Sequence, residues 1–451
     1  MAHALADLIY RRELTRREFL WLMTVSTASL ASPAILGGCA TDPVTGKTTL
    51  VGLSETDEVA IDRQQSPHQF STDYGAVQDQ RLNGYLTQVG SSLAGRSHRP
   101  QMPYSFRVVN ANYVNAYTFP GGSAAATRGI LLELNNEAEL AALLGHEIGH
   151  VNARHAAEQA GRGLLANLLI AGAAIATAAA GYGDYAGLVQ LGGMVGGSAL
   201  LAKYSRDDER EADALGLEYM TRVGYSPTGL LGLMDMLQRQ SKEKPNMLAA
   251  MFASHPMSDE RYATARSQAD GAYAMARAFP IHRERYMDMT ASLRRLKPAI
   301  DEEQRAEEQM QRKDLRQAEA HLTNALRLAP DDYTGNMLMA KCLIAQKRHP
   351  QAAPYLDRAK VIYPGEGQAV HLSGINRLAL RQPGAAFQEF DEYERRLPGN
   401  PNTIFLKGIA QESMQNRPAA AREYQRYLQT VRQGDQAKYA AERLRAWGYL
   451  K

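Results

Sequence analysis

The stretch LLGHEIGHVN, Leu143–Asn152, sets two histidines four positions apart with a glutamate directly after the first. Residues four apart share one face of a helix, so His146 and His150 point the same way, about 40° from eclipsed. Glu147 sits about 100° round from His146, beside that face rather than on it. Two imidazoles with an adjacent carboxylate spell a helical zinc site, in which Glu147 takes a proton from the attacking water and returns it to the leaving amine. The surrounding AELAALLGHEIGHVNARHAAE keeps a helical period without proline, and it starts near Asn136 with Glu139 three residues on, a capping-box-like arrangement. Leu143, Leu144, Ile148 and Val151 predict a buried helix. On a solvated helix the two histidines would need no partner; on a buried one they do.

Two imidazoles do not hold a hydrolytic zinc alone, since catalytic sites use three protein ligands and leave one position open. A metzincin would carry a glycine at 153 and a histidine at 156, where this chain has Ala153 and Ala156. On a continued helix His155 falls about 140° off the ligand face, a packing residue or an outer contact. Downstream, YSRDDEREADALGLEYM reads as a second helix with Glu209 and Asp213 on one face. Glu209 would complete a His₂Glu site, and Asp213 would accept the free ring N–H of a ligand histidine. Asp208, Glu209 and Glu211 all qualify by helical spacing, which does not choose between them.

Composition frames these readings. At 451 residues, 45% hydrophobic and 22% charged, the chain is long enough for two or three folded domains. A net charge of +3 argues against a nucleic-acid surface. Two cysteines, Cys39 and Cys342, in different settings exclude a disulfide framework. Arg16 and Arg17 precede an uncharged run from Leu20 to Gly38, the order of a twin-arginine signal peptide over residues 1–38. The run closes on LGGC, which resembles a bacterial lipobox and makes Cys39 the lipidated first residue of a tether over 39–53. The alternative is an uncleaved hydrophobic anchor. By resemblance, Ala40 after the cysteine implies sorting to the outer membrane.

Ser54, Thr56 and Asp57 predict a helix start, and residues 79–95 a further amphipathic helix. YSFRVVNANYVNAYTFPGGSAAATRGILLEL changes to a strand period with PGG as a turn, predicting two or three strands. Leu164–Ala180 carries no charge, but seventeen alanine- and glycine-rich residues fit packed or surface-lying helices better than a span. In the tail, Pro330, Pro364 and Pro398 recur every 34 residues, as do Leu322, Leu356, Phe390 and Tyr424, and Ala318, Ala352, Ala386 and Ala420. A 34-residue helix-pair unit is the tetratricopeptide repeat, here about four copies. Cys342 falls on a repeat helix as a small buried residue.

HExxH, then SRDDEREAD, then SHPMSDER, in that order over residues 50–290, resembles the HtpX-like family of zinc metallopeptidases, which includes the CaaX prenyl endopeptidases. The resemblance implies one zinc per chain, ligated by His146, His150 and Glu209, with Glu147 and Asp213 as the catalytic pair. NAYTFPGG is similar to the family's strand beside the cleft, implying that Asn115, Ala116 and Tyr117 bind an extended substrate by strand addition. In the periplasmic branch, the histidine of the SHP segment, here His255, can approach the zinc as a fourth ligand or plug. Arg206 and Arg261 are open between steadying an oxyanion and positioning the acidic helix. The expected architecture is α+β: a mainly helical gluzincin-type domain with a small β-sheet over 54–295, then an all-α tetratricopeptide solenoid over 303–451. With the lipobox and repeats, the chain resembles periplasmic, lipid-anchored members that assist outer-membrane protein assembly and degrade unfolded or misassembled proteins. The repeats would then meet clients or the barrel-assembly machinery. The competing reading is a chaperone or scaffold whose zinc site is latent or inactive.

Overall fold

A computed structural model describes residues 38–41, 43–46, 48–51, 53–161, 204–243 and 245–450. The expected signal peptide up to residue 37 and the uncharged stretch 164–180 lie outside them. No helix among the described residues is long and apolar enough to cross a membrane. The described residues divide into two units, the first ending at Pro298 and the second beginning at Ala299.

The first unit opens with a hairpin where a plain tether was expected. Strands β1 (Gly38–Thr41) and β2 (Thr48–Val51) pair antiparallel, Cys39 opposite Leu50. Ser54 caps helix α1 (Glu55–Thr72) in a reciprocal box with Asp57, and Asp79 caps α2 (Gln80–Ala94). A three-stranded sheet follows, of β3 (Ser105–Val109), β4 (Ala116–Thr118) and β5 (Ser123–Thr127), in the order β3-β5-β4. β5 runs parallel to β3 and antiparallel to β4, so β4 forms an edge. The apolar run after β5 is not a strand: Thr127 accepts from the Ile130 N–H and caps a short helix α3 (Arg128–Glu133). A cap with a donor in reach overrides the strand preference of isoleucine and leucine there.

Helix α4 (Glu137–Asn152) carries the first motif, with Asn136 as its cap. It does not run on through residue 155. The chain turns at Arg154, whose φ of 59° is left-handed, and restarts as α5 (His155–Gly161). Buried Glu58 accepts from Arg154 Nε at 3.0 Å and from Arg99 Nη2 at 2.7 Å, while Arg99 Nη1 donates to the Val151 carbonyl. These bonds fix the end of α4.

Helix α6 (Arg206–Arg222) packs directly on α4 through small residues. A Cβ on Gly149 would lie 2.9 Å from the Ala212 carbonyl oxygen, and one on Gly216 would lie 3.0 Å from the His146 nitrogen. Backbones this close bring both motif faces within reach of one another. Helices α7 (Thr228–Glu243), α8 (Pro245–Ser254) and α9 (Asp259–Asp270) complete the surround.

The second unit is all-helical. Helices beginning at Leu315, His349, Pro383 and Arg417 recur at 34-residue steps, alternating with Tyr333–Ala345, Gln368–Ala379, Pro401–Ser413 and Asp435–Ala446. Ala318, Ala352, Ala386 and Ala420 are buried, as are Leu322, Leu356, Phe390 and Tyr424. Lys313, Lys347, Arg381 and Gln415, also 34 apart, each adopt a left-handed φ of 59–64° where one helix hands over to the next. A Cβ on Gly374 would meet the Phe390 ring at 2.6 Å, and one on Gly408 the Tyr424 ring at 2.5 Å. One repeat earlier, where Leu356 replaces the ring, Ala340 occupies the glycine position.

Candidate metal centre

Four buried residues from three places in the chain converge: His146 and His150 from α4, Glu209 from the first turn of α6, and His255 just after α8. His146 Nε2 lies 3.0 Å from His150 Nε2, 3.2 Å from His255 Nδ1 and 3.5 Å from Glu209 Oε2. Glu209 Oε1 lies 3.3 Å from His150 Nε2 and 2.9 Å from His255 Nδ1. Zinc bonds of about 2.1 Å in a tetrahedron place ligand atoms about 3.4 Å apart, so this donor set has the edges of a zinc site. Burial holds His150 well below its ordinary value, which leaves a neutral ring with a lone pair to give. Burial alone would raise the Glu209 carboxyl, but His255 and His146 outweigh it and keep the group ionised.

Three of the four donors are held from behind. His146 Nδ1 lies 2.9 Å from Asp213 Oδ1. Arg261 donates to Asp213 through Nε and Nη2, both at 2.8 Å, and pairs with Glu209 Oε2 through Nη1 at 2.6 Å. Burial opposes the Asp213 charge, and its bonds to His146 and Arg261 prevail to hold the carboxyl below its usual range. His150 Nδ1 meets His155 Nδ1 at 2.8 Å, and the Tyr204 ring stacks on His150 with centroids 3.6 Å apart and planes 18° apart.

Glu147 is 1% exposed, yet neither carboxylate oxygen has a hydrogen-bond partner. His255 Nε2 lies 3.6 Å from Oε1. Burial pushes the Glu147 carboxyl above its ordinary range, against His255 and His146. A buried carboxylate without a hydrogen-bond partner beside such a metal-binding cluster has the environment of a proton-exchanging group.

At the sheet edge, Asn115, Ala116 and Tyr117 are all buried. The Asn115 amide has no partner at either Oδ1 or Nδ2. Tyr117 faces inward, its hydroxyl donating to Asp73 at 2.5 Å and its ring packed in a cluster with Phe70 and Phe119. Met247 of α8 closes on this edge, its carbonyl accepting from the Val114 N–H at 3.0 Å. Arg206 is exposed. Among Asp208, Glu209 and Glu211, the structure brings Glu209 into the cluster. Sequence reasoning did not single out Tyr204, which no spacing rule signals; of the two roles left open for Arg261, its bonds to Asp213 and Glu209 fit the positioning of the acidic helix. The expected helix does not continue through Arg154, but His155 still lies where an outer contact was one of its two expected roles, against His150 Nδ1.

The chain matches the model of Peptidase family M48 over residues 80–269 and that of a tetratricopeptide repeat over 309–372. It is 28% identical over 231 residues to the beta-barrel assembly-enhancing protease of Yersinia pestis, covering 49% of this chain and 46% of that protein. To the protein of the same name in Escherichia coli (strain K12) it is 26% identical over 273 residues, covering 57% of this chain and 53% of the relative. To the metalloprotease YcaL of Escherichia coli (strain K12) it is 30% identical over 210 residues, covering 46% of this chain and 78% of that protein. The match thus spans about half the length of the beta-barrel assembly-enhancing proteases.

Proposed function

This chain belongs to peptidase family M48, and on that footing we propose that it is a zinc-dependent endopeptidase in which His255 holds the resting site closed. The observation that carries the proposal is the unpartnered Glu147 carboxylate beside the His146, His150 and Glu209 donors. Zinc bound by these donors supplies Lewis acidity, polarising a carbonyl and lowering the pKa of water. Glu147 takes the proton of the attacking water and passes it to the leaving amine, a role its raised affinity for protons suits. Asp213, gripped by Arg261, fixes the His146 tautomer so that Nε2 faces the cluster. An extended peptide joins the β4 edge by main-chain bonds, and the idle Asn115 amide receives it once α8 withdraws. Such a mode selects unfolded or exposed segments. The spacing of His255 Nδ1 to Glu209 and His146 supports a fourth ligand in the position that a working site keeps open.

We assign the protein to the periplasm, anchored through Cys39 to the outer membrane, with the domain limits of 54–295 and 303–451. Its work there would be quality control of outer-membrane proteins, with the repeats recruiting clients or the assembly machinery. The names of the Yersinia pestis and Escherichia coli relatives support this reading. Cleavage of β-casein by the zinc-loaded protein tests it, beside Glu147→Gln and His255→Ala. The expected result is weak activity in wild type, more in His255→Ala, and none in Glu147→Gln or after chelation. Zinc-loaded protein inert in every form, His255→Ala included, would turn the assignment to a chaperone or scaffold.

A further inference from the structure

The second ligand histidine has an outer contact of an unusual kind. Where His146 rests on a carboxylate, His150 Nδ1 rests on another imidazole, His155 Nδ1, at 2.8 Å. His155 is 2% exposed, and its far nitrogen, Nε2, lies 3.3 Å from Glu211 Oε2 and 4.0 Å from Asp208 Oδ1. Two facing ring nitrogens at this distance need one proton between them, so one ring donates and the other accepts. Were His155 the donor, its Nε2 would turn a lone pair toward two carboxylates, and His150 would carry its proton on Nε2, toward the cluster. With the opposite polarity every atom is satisfied. Glu211 accepts from His155 Nε2–H, His155 Nδ1 accepts from His150 Nδ1–H, and His150 Nε2 keeps its lone pair.

We infer that His155 and Glu211 form a positioning relay that sets the tautomer and ring angle of His150 for metal binding. The inference rests on the metal-site reading above and assigns two residues it leaves unused. The turn at Arg154 makes the relay possible: it carries His155 back beneath His150, and Glu58 and the Leu53 carbonyl hold that turn through the Arg154 guanidinium. Tyr204, stacked on His150, fixes the ring plane but accepts no proton from Nδ1. Because an imidazole stands between carboxylate and ligand, the charge of Glu211 reaches His150 damped, whereas Asp213 acts on His146 directly.

Zinc dissociation constants from chelator competition, together with the visible absorption of the cobalt(II)-substituted protein, test the relay. His155→Leu keeps bulk but offers no acceptor, and it is expected to weaken zinc about 10–100-fold and alter the cobalt spectrum. His155→Asn places Oδ1 near the lost Nδ1, and it is expected to recover most of the affinity and the spectrum. Glu211→Leu changes a half-exposed side chain and guards against misfolding at position 155; a smaller loss, about several-fold, is expected. Zinc affinity in His155→Leu equal to wild type, or His155→Asn as weak as His155→Leu, overturns the relay. Wild type that takes up no zinc, or His150→Ala that matches it, overturns the metal site itself and the relay with it.

Discussion

A single side chain in this centre does little alone; its effect depends on what grips it. Asp213 shows this most plainly, because it spends one oxygen on His146 and both on Arg261. Asp213→Asn keeps the shape but removes the charge that orders the imidazole, and zinc affinity should fall about 10–100-fold while the fold persists. Chelator competition on folded protein measures it, and an unchanged dissociation constant would refute the role. At this scale the sequence was legible where a motif spelled its own geometry, as in His146, Glu147 and His150. It was not legible for Glu209, because Asp208 and Glu211 offer the same chemistry on the same helix, and family likeness was needed to choose. For His155 the outer-contact reading was available, but the turn that delivers it was not. Nothing in the letters of Arg154 announces a left-handed turn, since arginine has no local preference for one.

Between helices, the decisive residues are those with the least side chain. Gly145 and Gly149 occupy the motif's unremarked positions, and Gly216 answers them from α6. A Cβ at Gly149 would stand 3.0 Å from the Ala212 Cα, closer than side chains ordinarily approach backbone. Gly149→Ala should destabilise the unit by about 1–3 kcal/mol and weaken zinc with it, because the wedge separates Glu209 from the two histidines. Thermal unfolding and zinc titration should move together; a loss of stability with zinc binding intact would show that the helices part elsewhere. The helices themselves were readable from caps and periodicity, as Ser54, Asp79 and Asn136 illustrate. Arg128–Glu133 was not, because six residues with an apolar centre carry no period that separates helix from strand.

Over the whole chain, two units follow different rules. The first is a set of non-repeating elements gathered on one site, and the second is a single motif copied with adjustments, such as alanine for glycine where leucine replaces a ring. That repetition made the second unit the most legible part, since each copy confirms the register of the last. One contribution to its acid response comes from His371, whose shielded Nε2 has no hydrogen-bond partner and whose ring packs against those of Phe390 and Tyr393. Burial pushes this ring down to about 4, whereas the unfolded ring titrates near 6.5. The unfolded chain therefore binds the proton first, and the stability contributed by the neutral ring is full above about pH 6.5 and lost as pH falls toward 4. His371→Phe should flatten the acid loss of melting temperature over that range; an equal slope in both proteins would acquit the histidine. The left-handed residues Lys347, Arg381 and Gln415 mark the turn inside each helix pair, and Pro364 and Pro398 follow its second helix; each copy in such an array touches only its neighbours. Pulled from the C-terminus in an optical trap, the array should therefore yield as a ratchet, releasing about 34 residues, or about 110–120 Å of contour, at each click.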